Sequence, residues 1–349
     1  MLRRCILFIG GLTALPAAAQ LLDPSAAPAA APEMTREQKL DQYRHDQINL
    51  LALRPDAESL LAATLLADAD ADDKRRPAAL KSPALLKRAQ AAGAESALVW
   101  WVSAAAECHA APKACPSAQV LQKLESLDAE NAAVWLLSLW HAQQANDAPA
   151  ARAALTSAAQ ARRYNDFFGS LVNVIYQAQD VLPMSDDLLN ATGSDASVDG
   201  FRLLNAANYA LAKVTLPGAR ALADACKTSE PPDAALSADC VAVAEKMENS
   251  GSLFARSAGL ALHESLLAGD ADRGALQARK RQQAWQMQQM GELAGRLANE
   301  TRVTHVYTQA LGESGDEAAA VAAVLRSQGV SLEPPPGWQP AAPADPFKP

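Results

Sequence analysis

The sequence predicts an all-α protein, and three observations carry that expectation. Alanine, the strongest helix former, supplies 79 of the 349 residues. Isoleucine stands only at positions 6, 9, 48 and 175, and aromatic residues make up 5% of the chain. A β-sheet would lack its preferred side chains. From about residue 35 to 333, apolar residues recur at three-and-four spacing in short segments broken by Pro, Gly, Asn and Asp. That pattern fits irregular antiparallel helix hairpins. Seventeen glycines exclude collagen, and a 50% hydrophobic content excludes wholesale disorder.

The first nineteen residues read as a secretory signal peptide. Met1-Leu2-Arg3-Arg4 is basic, residues 5–16 are apolar, and Pro16-Ala17-Ala18-Ala19-Gln20 supplies small residues for cleavage after Ala19. The alternative, an uncleaved anchor, is disfavoured because the run is shorter than the ~20 apolar residues of a span. Cys5 lies at the start of the apolar run, away from the cleavage site. No later segment reads as transmembrane, so the expectation is a soluble chain, periplasmic or secreted. Removing residues 1–19 takes away two arginines and no acid, lowering the formal charge from −8 to −10. Nucleic-acid partners are disfavoured, because such affinity rests on cations neutralising phosphates. Lys74-Arg75-Arg76 and Arg279-Lys280-Arg281 then read as solvated helix faces.

Export leaves Cys108, Cys115, Cys226 and Cys240, an even number that points to disulfides. Proximity favours Cys108–Cys115 and Cys226–Cys240, since short loops close at the lowest entropic cost. Each pair encloses turn-forming sequence, Ala111-Pro112-Lys113 in one and Ser229 to Asp233 in the other. A metal site or redox pair is the alternative, against which stands the lack of C-x-x-C spacing.

The helices are taken in chain order. Residues 20–34 form an Ala/Pro-rich leader without helical period. An N-terminal lobe, 35–182, contains a helix opened by Arg54-Pro55-Asp56-Ala57 and running to Ala67. Its partner spans 75–92, made irregular by Pro77 and Pro83. Residues 94–107 pair with 117–127 across the first disulfide. The run Leu127 to Leu139 pairs with Pro149–Arg162 across a break at Asn146-Asp147, and Pro149 suits a first helical turn. Residues 183–200 read as a polar crossover to a C-terminal lobe, 201–333. That lobe contains helices at 253–268 and 273–289, joined at Gly269-Asp270, and a final helix or pair over Glu292–Gln328, split near Gly312–Gly315. Residues 334–349 read as a disordered or polyproline-like tail.

Leu127-Asp128-Ala129-Glu130-Asn131-Ala132-Ala133-Val134-Trp135, a polar turn, and the stripe Ala151, Leu155, Ala158 together resemble a tetratricopeptide repeat. The resemblance implies an α-solenoid of helix pairs and a partner-binding role. It covers 50–165 best and weakens after 200. The chain departs from the pattern at Asn146, where Gly is usual, and at Ala129, where Pro is usual. The Asp147 and Asp270 turns lie at the spacing that an internal duplication would leave.

Sites of chemistry are sparse. His263-Glu264-Ser265-Leu266-Leu267 starts like a zincin helix but has Leu267 in place of the second histidine. Glu264-Ser265 with Gly274-Ala275 distantly resembles a lytic transglycosylase, without that family's Gly-Leu-Met-Gln. Asp68 to Asp73 alternates carboxylates, but Asp73 and Ala79 stand where a calcium loop needs Gly and Glu. No metal or cofactor is therefore expected. Adjacent residues of a helix point about 100° apart. One of Trp100 and Trp101, together with Trp140 and Phe168, is therefore a candidate for lining a ligand groove; burial between repeats is the alternative. The function expected is that of an exported, noncatalytic binding or scaffold protein engaging a peptide, a protein or an envelope component. The alternative is an envelope hydrolase, such as a glycan-cleaving enzyme, with Glu264 as its acid. A third reading is a structural domain whose Pro-rich tail carries recognition.

Overall fold

Short polar side chains start many of the helices by accepting amide hydrogen bonds that a first turn leaves unpaired. Ser117 caps Val120, Asn131 caps Ala133, Asp147 caps Ala150, Asp233 caps Leu236 and Asp316 caps Ala319. A computed structural model describes residues 34–68, 76–113, 115–214, 218–227, 233–267 and 273–340. The segment read as a signal peptide, nearly all of the expected leader, the Gly269-Asp270 turn and the end of the tail lie outside the described residues.

Among the described residues there are helices and no strands, apart from one isolated bridge between Asn131 and Arg163. The helices are α1 (Arg36–Ala52), α2 (Ala57–Asp68), α3 (Ser82–Ala92), α4 (Ala97–Ala110), α5 (Ala118–Asp128) and α6 (Ala132–Gln144). Next come α7 (Ala148–Gln160), α8 (Phe168–Ala178), α9 (Asp186–Thr192), α10 (Val198–Val214), α11 (Gly218–Ala225) and α12 (Ala234–Glu248). The last are α13 (Leu253–Leu266), α14 (Arg273–Glu292), α15 (Ala294–Asn299), α16 (Thr301–Ser314) and α17 (Glu317–Ser327). The protein is all-α. Neighbouring helices pack as pairs: α2 with α3, α4 with α5, α6 with α7, α12 with α13, and α16 with α17.

Two of these units repeat closely. Ala94-Glu95-Ser96-Ala97-Leu98-Val99-Trp100 recurs 35 residues later as Ala129-Glu130-Asn131-Ala132-Ala133-Val134-Trp135. In each copy the valine is buried and the tryptophan Nε1–H donates to the alanine carbonyl six residues back, at 3.0 and 2.8 Å. The Asn146 that stands where Gly is usual adopts φ 54°. Asn tolerates this left-handed conformation, so the α6–α7 turn is made without the glycine.

The core is organised around α8, which packs against α2, α10 and α16. Leu171 and Ile175 of α8 are fully buried in a cluster that also holds Leu61, Trp101, Leu124, Leu137, Tyr307 and Val324. Residues on both sides of 183–200 therefore share one core, where two lobes were expected. The crossover itself contains α9 and the first turn of α10, started by Ser185 accepting from Leu188 N at 3.2 Å. The tail also differs from expectation over 334–340: Trp338 packs edge-on against Trp285 of α14, centroids 5.4 Å apart. Arg76, read as solvated, is buried and donates to Ala67 O at 3.0 Å. In the other basic run, Arg279 pairs with Glu248 and Lys280 with Glu264.

Both disulfides are formed. Cys108–Cys115 joins the last turn of α4 to the approach to α5, and Cys226–Cys240 joins the end of α11 to α12.

Candidate functional site

An apolar cleft of about 400 Å³ opens where the α6–α7 pair meets α11 and α12. This lies within the size range of small-molecule and side-chain pockets. Leu139 of α6, Ala151 and Leu155 of α7, Ala225 of α11 and Leu236 of α12 form its walls. Small residues at Ala148, Ala151 and Ala225 leave the space that larger side chains would fill. The Cys226–Cys240 bond lies behind these walls, with Cys240 fully buried and in the same apolar cluster as Leu139 and Leu155.

Polar groups hold the walls in place. Gln143 donates to Ala221 O at 2.9 Å, tying α6 to α11. Lys246 donates to Ala159 O at 2.7 Å, and Thr156 to Asp239 Oδ2 at 2.8 Å, tying α12 to α7. Arg152 pairs with Asp239 through Nη2 at 3.1 Å, while its buried Nη1 has no hydrogen-bond partner among the described residues. The cleft thus joins apolar walls to the partly exposed guanidinium of Arg152, whose Nη2 pairs with Asp239. A guanidinium favours an oxygen acceptor beside whatever apolar group enters.

A second cluster of polar groups forms where three helices begin. Asp166 accepts from Phe168 N at the start of α8 at 3.1 Å and from the Ser252 hydroxyl. Glu317 of α17 accepts from Leu253 N at the start of α13 at 2.9 Å. Burial raises both carboxyl groups above the usual range, and Glu317 reaches about 7. The negative charges of Asp166 and Asp316 add to the rise at Glu317, which the Leu253 amide and Arg256 oppose. Phe167 adopts φ 60°, an unusual conformation for a bulky residue, and its ring packs on Trp101 at 5.3 Å. A third cluster joins α12, α13 and α14: His263 Nδ1 lies 2.5 Å from Glu248 Oε1, and Arg279 pairs with Glu248 Oε2 at 2.7 Å.

A smaller cavity of about 150 Å³ beside α1, α9 and α10 is lined by apolar residues such as Leu40 and Phe201 and by polar ones, among them Tyr43 and Gln47. Gln47 donates to Tyr43 Oη, which donates to Leu182 O. Burial pushes the Tyr43 hydroxyl up to about 12.

The aromatic groove candidates fall in different places. Trp101 is 2% exposed, so it cannot line a surface groove; the helical phase set from Ser96 turns it inward and Trp100 outward. Trp100 is half-buried, with its N–H committed to Ala94 O, and Phe168 is half-buried against the main core. Trp140 is half-buried in the cluster behind the cleft, and its indole N–H has no partner among the described residues. The structure thus brings Trp100, Trp101 and Phe168 to the main core cluster and leaves Trp140 in the other. Glu264 is half-buried, and hydrogen bonding from Lys280 at 2.5 Å is the main cause holding its carboxyl below the usual range. Asp68 pairs with the buried Lys213, while the rest of the alternating acidic run lies outside the described residues.

The cleft residues Gln143, Arg152, Ala225 and Leu236 carry no signal in the sequence. They come from four helices, and no local motif links them. The 35-residue recurrence is the available signal, since it places α6 and α7 as one repeat unit with a face turned toward later helices.

Fold and site together define an all-α protein of paired helices with two disulfides and an apolar, guanidinium-edged cleft. Comparison with models of known families, with curated proteins and with solved structures finds no match to this chain. No described helix is long and apolar enough to cross a membrane.

Proposed function

We propose that this chain is an exported, noncatalytic binding or scaffold protein of the tetratricopeptide-repeat kind. In this reading the cleft between α6, α7, α11 and α12 receives an aliphatic or aromatic side chain of a protein partner. The observation that carries the reading is the cleft itself: about 400 Å³, apolar-walled, and edged by Arg152. A peptide supplies both complementary groups, an apolar side chain and the adjacent backbone carbonyl. The signal-like N-terminus and two disulfides support the exported part of the proposal.

The hydrolase alternative gains nothing from Glu264. A general acid must hold a proton near neutral pH, whereas Lys280 and Gln277 favour the ionised form of Glu264.

The test fills the cleft from its wall. Ala151 is half-buried, so Ala151→Trp adds bulk there without emptying the core. Binding of a panel of short peptides, each centred on one apolar residue, is measured for both forms by fluorescence anisotropy. Wild-type chain should bind a subset of apolar-centred peptides, and Ala151→Trp should weaken those by at least tenfold. Unchanged binding in the variant, or no preference for apolar centres, would overturn the proposal.

A further inference from the structure

The segment after α17 does not leave the protein; it runs back along α14. Trp285 Nε1–H donates to Ser331 O at 2.8 Å, and Gln286 to Leu332 O at 3.1 Å. One turn earlier on the helix, Gln282 holds the Glu333 carboxylate. Residues Gln339 and Pro340 face Gly274, Gln277 and Lys280 across a cleft of about 540 Å³. The segment is therefore antiparallel to α14. Between these contacts, Pro336-Gly337 makes a tight turn: Trp338 N donates to Pro335 O at 3.1 Å, and Gly337 has φ 79°. This is the Pro-then-Gly arrangement of a type II turn, and it sets Trp338 on Trp285.

We infer that α14 carries a recognition face for proline-rich segments of other protein chains, and that the C-terminal segment of this chain occupies the face in cis. The face has the parts such recognition uses: an aromatic platform with an N–H, and side-chain amides that reach carbonyl oxygens. Its occupant shows what fits: an acidic residue held by Gln282 and a tryptophan set on Trp285, joined by a run of prolines and a Pro-Gly turn. Charge agrees with this. Although the chain is acidic overall, α14 contains four basic residues, Arg273, Arg279, Lys280 and Arg281, against a single acid, Glu292, and ion pairs with Glu248 and Glu264 engage two of the four, Arg279 and Lys280. The face is separate from the α6–α7 cleft, so either assignment can fail alone.

The occupant is tethered, and a short tether gives it an effective concentration in the millimolar range. A competing segment in solution therefore meets a mostly occupied face. The probe is a fluorescein-labelled peptide with the sequence of Glu333–Pro340, titrated by anisotropy against the full chain. Two substitutions release the tether without touching the core: Trp338→Ala removes the aromatic contact, and Glu333→Lys reverses the charge facing α14. Each should bind the peptide at least tenfold more tightly than wild type, with an unchanged circular-dichroism spectrum. Adding Trp285→Ala to either should abolish that gain. Equal binding by wild-type and released chains, or a gain that survives Trp285→Ala, would overturn the inference.

Discussion

Replacing Glu317 by Gln should change how stability depends on pH. In the unfolded chain this carboxyl ionises at about 4.5; in the fold, burial raises it to about 7. Between those values the unfolded chain loses a proton that the folded chain keeps, so this group's contribution is complete below 4.5 and declines as pH rises through 7. At about 1.4 kcal/mol for each pH unit, the decline is roughly 2–3 kcal/mol, allowing for partial solvent access. Asp166, also raised, acts in the same direction. Gln at 317 keeps an oxygen for the Leu253 amide but has no proton to lose. Urea unfolding of both proteins at pH 4, 5, 6, 7 and 8 isolates the effect, because Asp56, Glu300 and the other lowered carboxyls are common to both. The variant should gain roughly 2–3 kcal/mol relative to wild type on going from pH 4 to pH 8. A stability difference that is constant across the series would refute the reasoning.

Three further outcomes are expected of the same structure. Replacing both cysteines of the Cys226–Cys240 pair by serine should lower stability by about 3 kcal/mol, and the Cys108–Cys115 pair by about 2, since the first closes the longer loop; denaturant midpoints give the order. Asn131→Ala removes a fully buried side chain that donates to Asp128 and Asn165 O and accepts from Ala133 N and Asn165 N. It should cost about 2–4 kcal/mol by thermal or urea unfolding. Gly169→Ala would place a Cβ 2.2 Å from Gly315 O, pushing apart α8 and the α16–α17 turn. A loss of about 1–3 kcal/mol is expected, and a melting temperature equal to wild type would count against that close approach.

Several elements can be read from the chain alone, for definite reasons. Asn146-Asp147 announces the α6–α7 turn because Asn takes the left-handed position and Asp caps the next helix. The cysteine pairs are readable from loop length. By contrast, α8 is not legible. Its Val172, Val174 and Ile175 are β-branched, with weak intrinsic helix preference, and it is helical because the helices around it bury it. The choice between Trp100 and Trp101 depends on helical phase, which adjacent tryptophans cannot reveal. The 35-residue recurrence is present in the letters, yet the spacing of the Asp147 and Asp270 turns points to a different period, one whose second turn lies outside the described residues. The Asp166–Glu317 cluster forms only when three distant helix starts meet, so no local pattern announces it.

The position of α8 limits how this protein can change over time. In an array whose repeats touch only their neighbours, units can be gained, lost or unfolded one at a time. Here α2, near one end of the chain, and α16, near the other, both rest on α8. A 35-residue insertion between α4 and α6 would move every later helix away from the residues it now covers. Clipping the chain after α15 would strip one wall from helices that precede it by more than a hundred residues. A change in the number of units would therefore disturb the core that both ends share, and a protease that opens either end should unfold the whole molecule rather than leave a stable fragment.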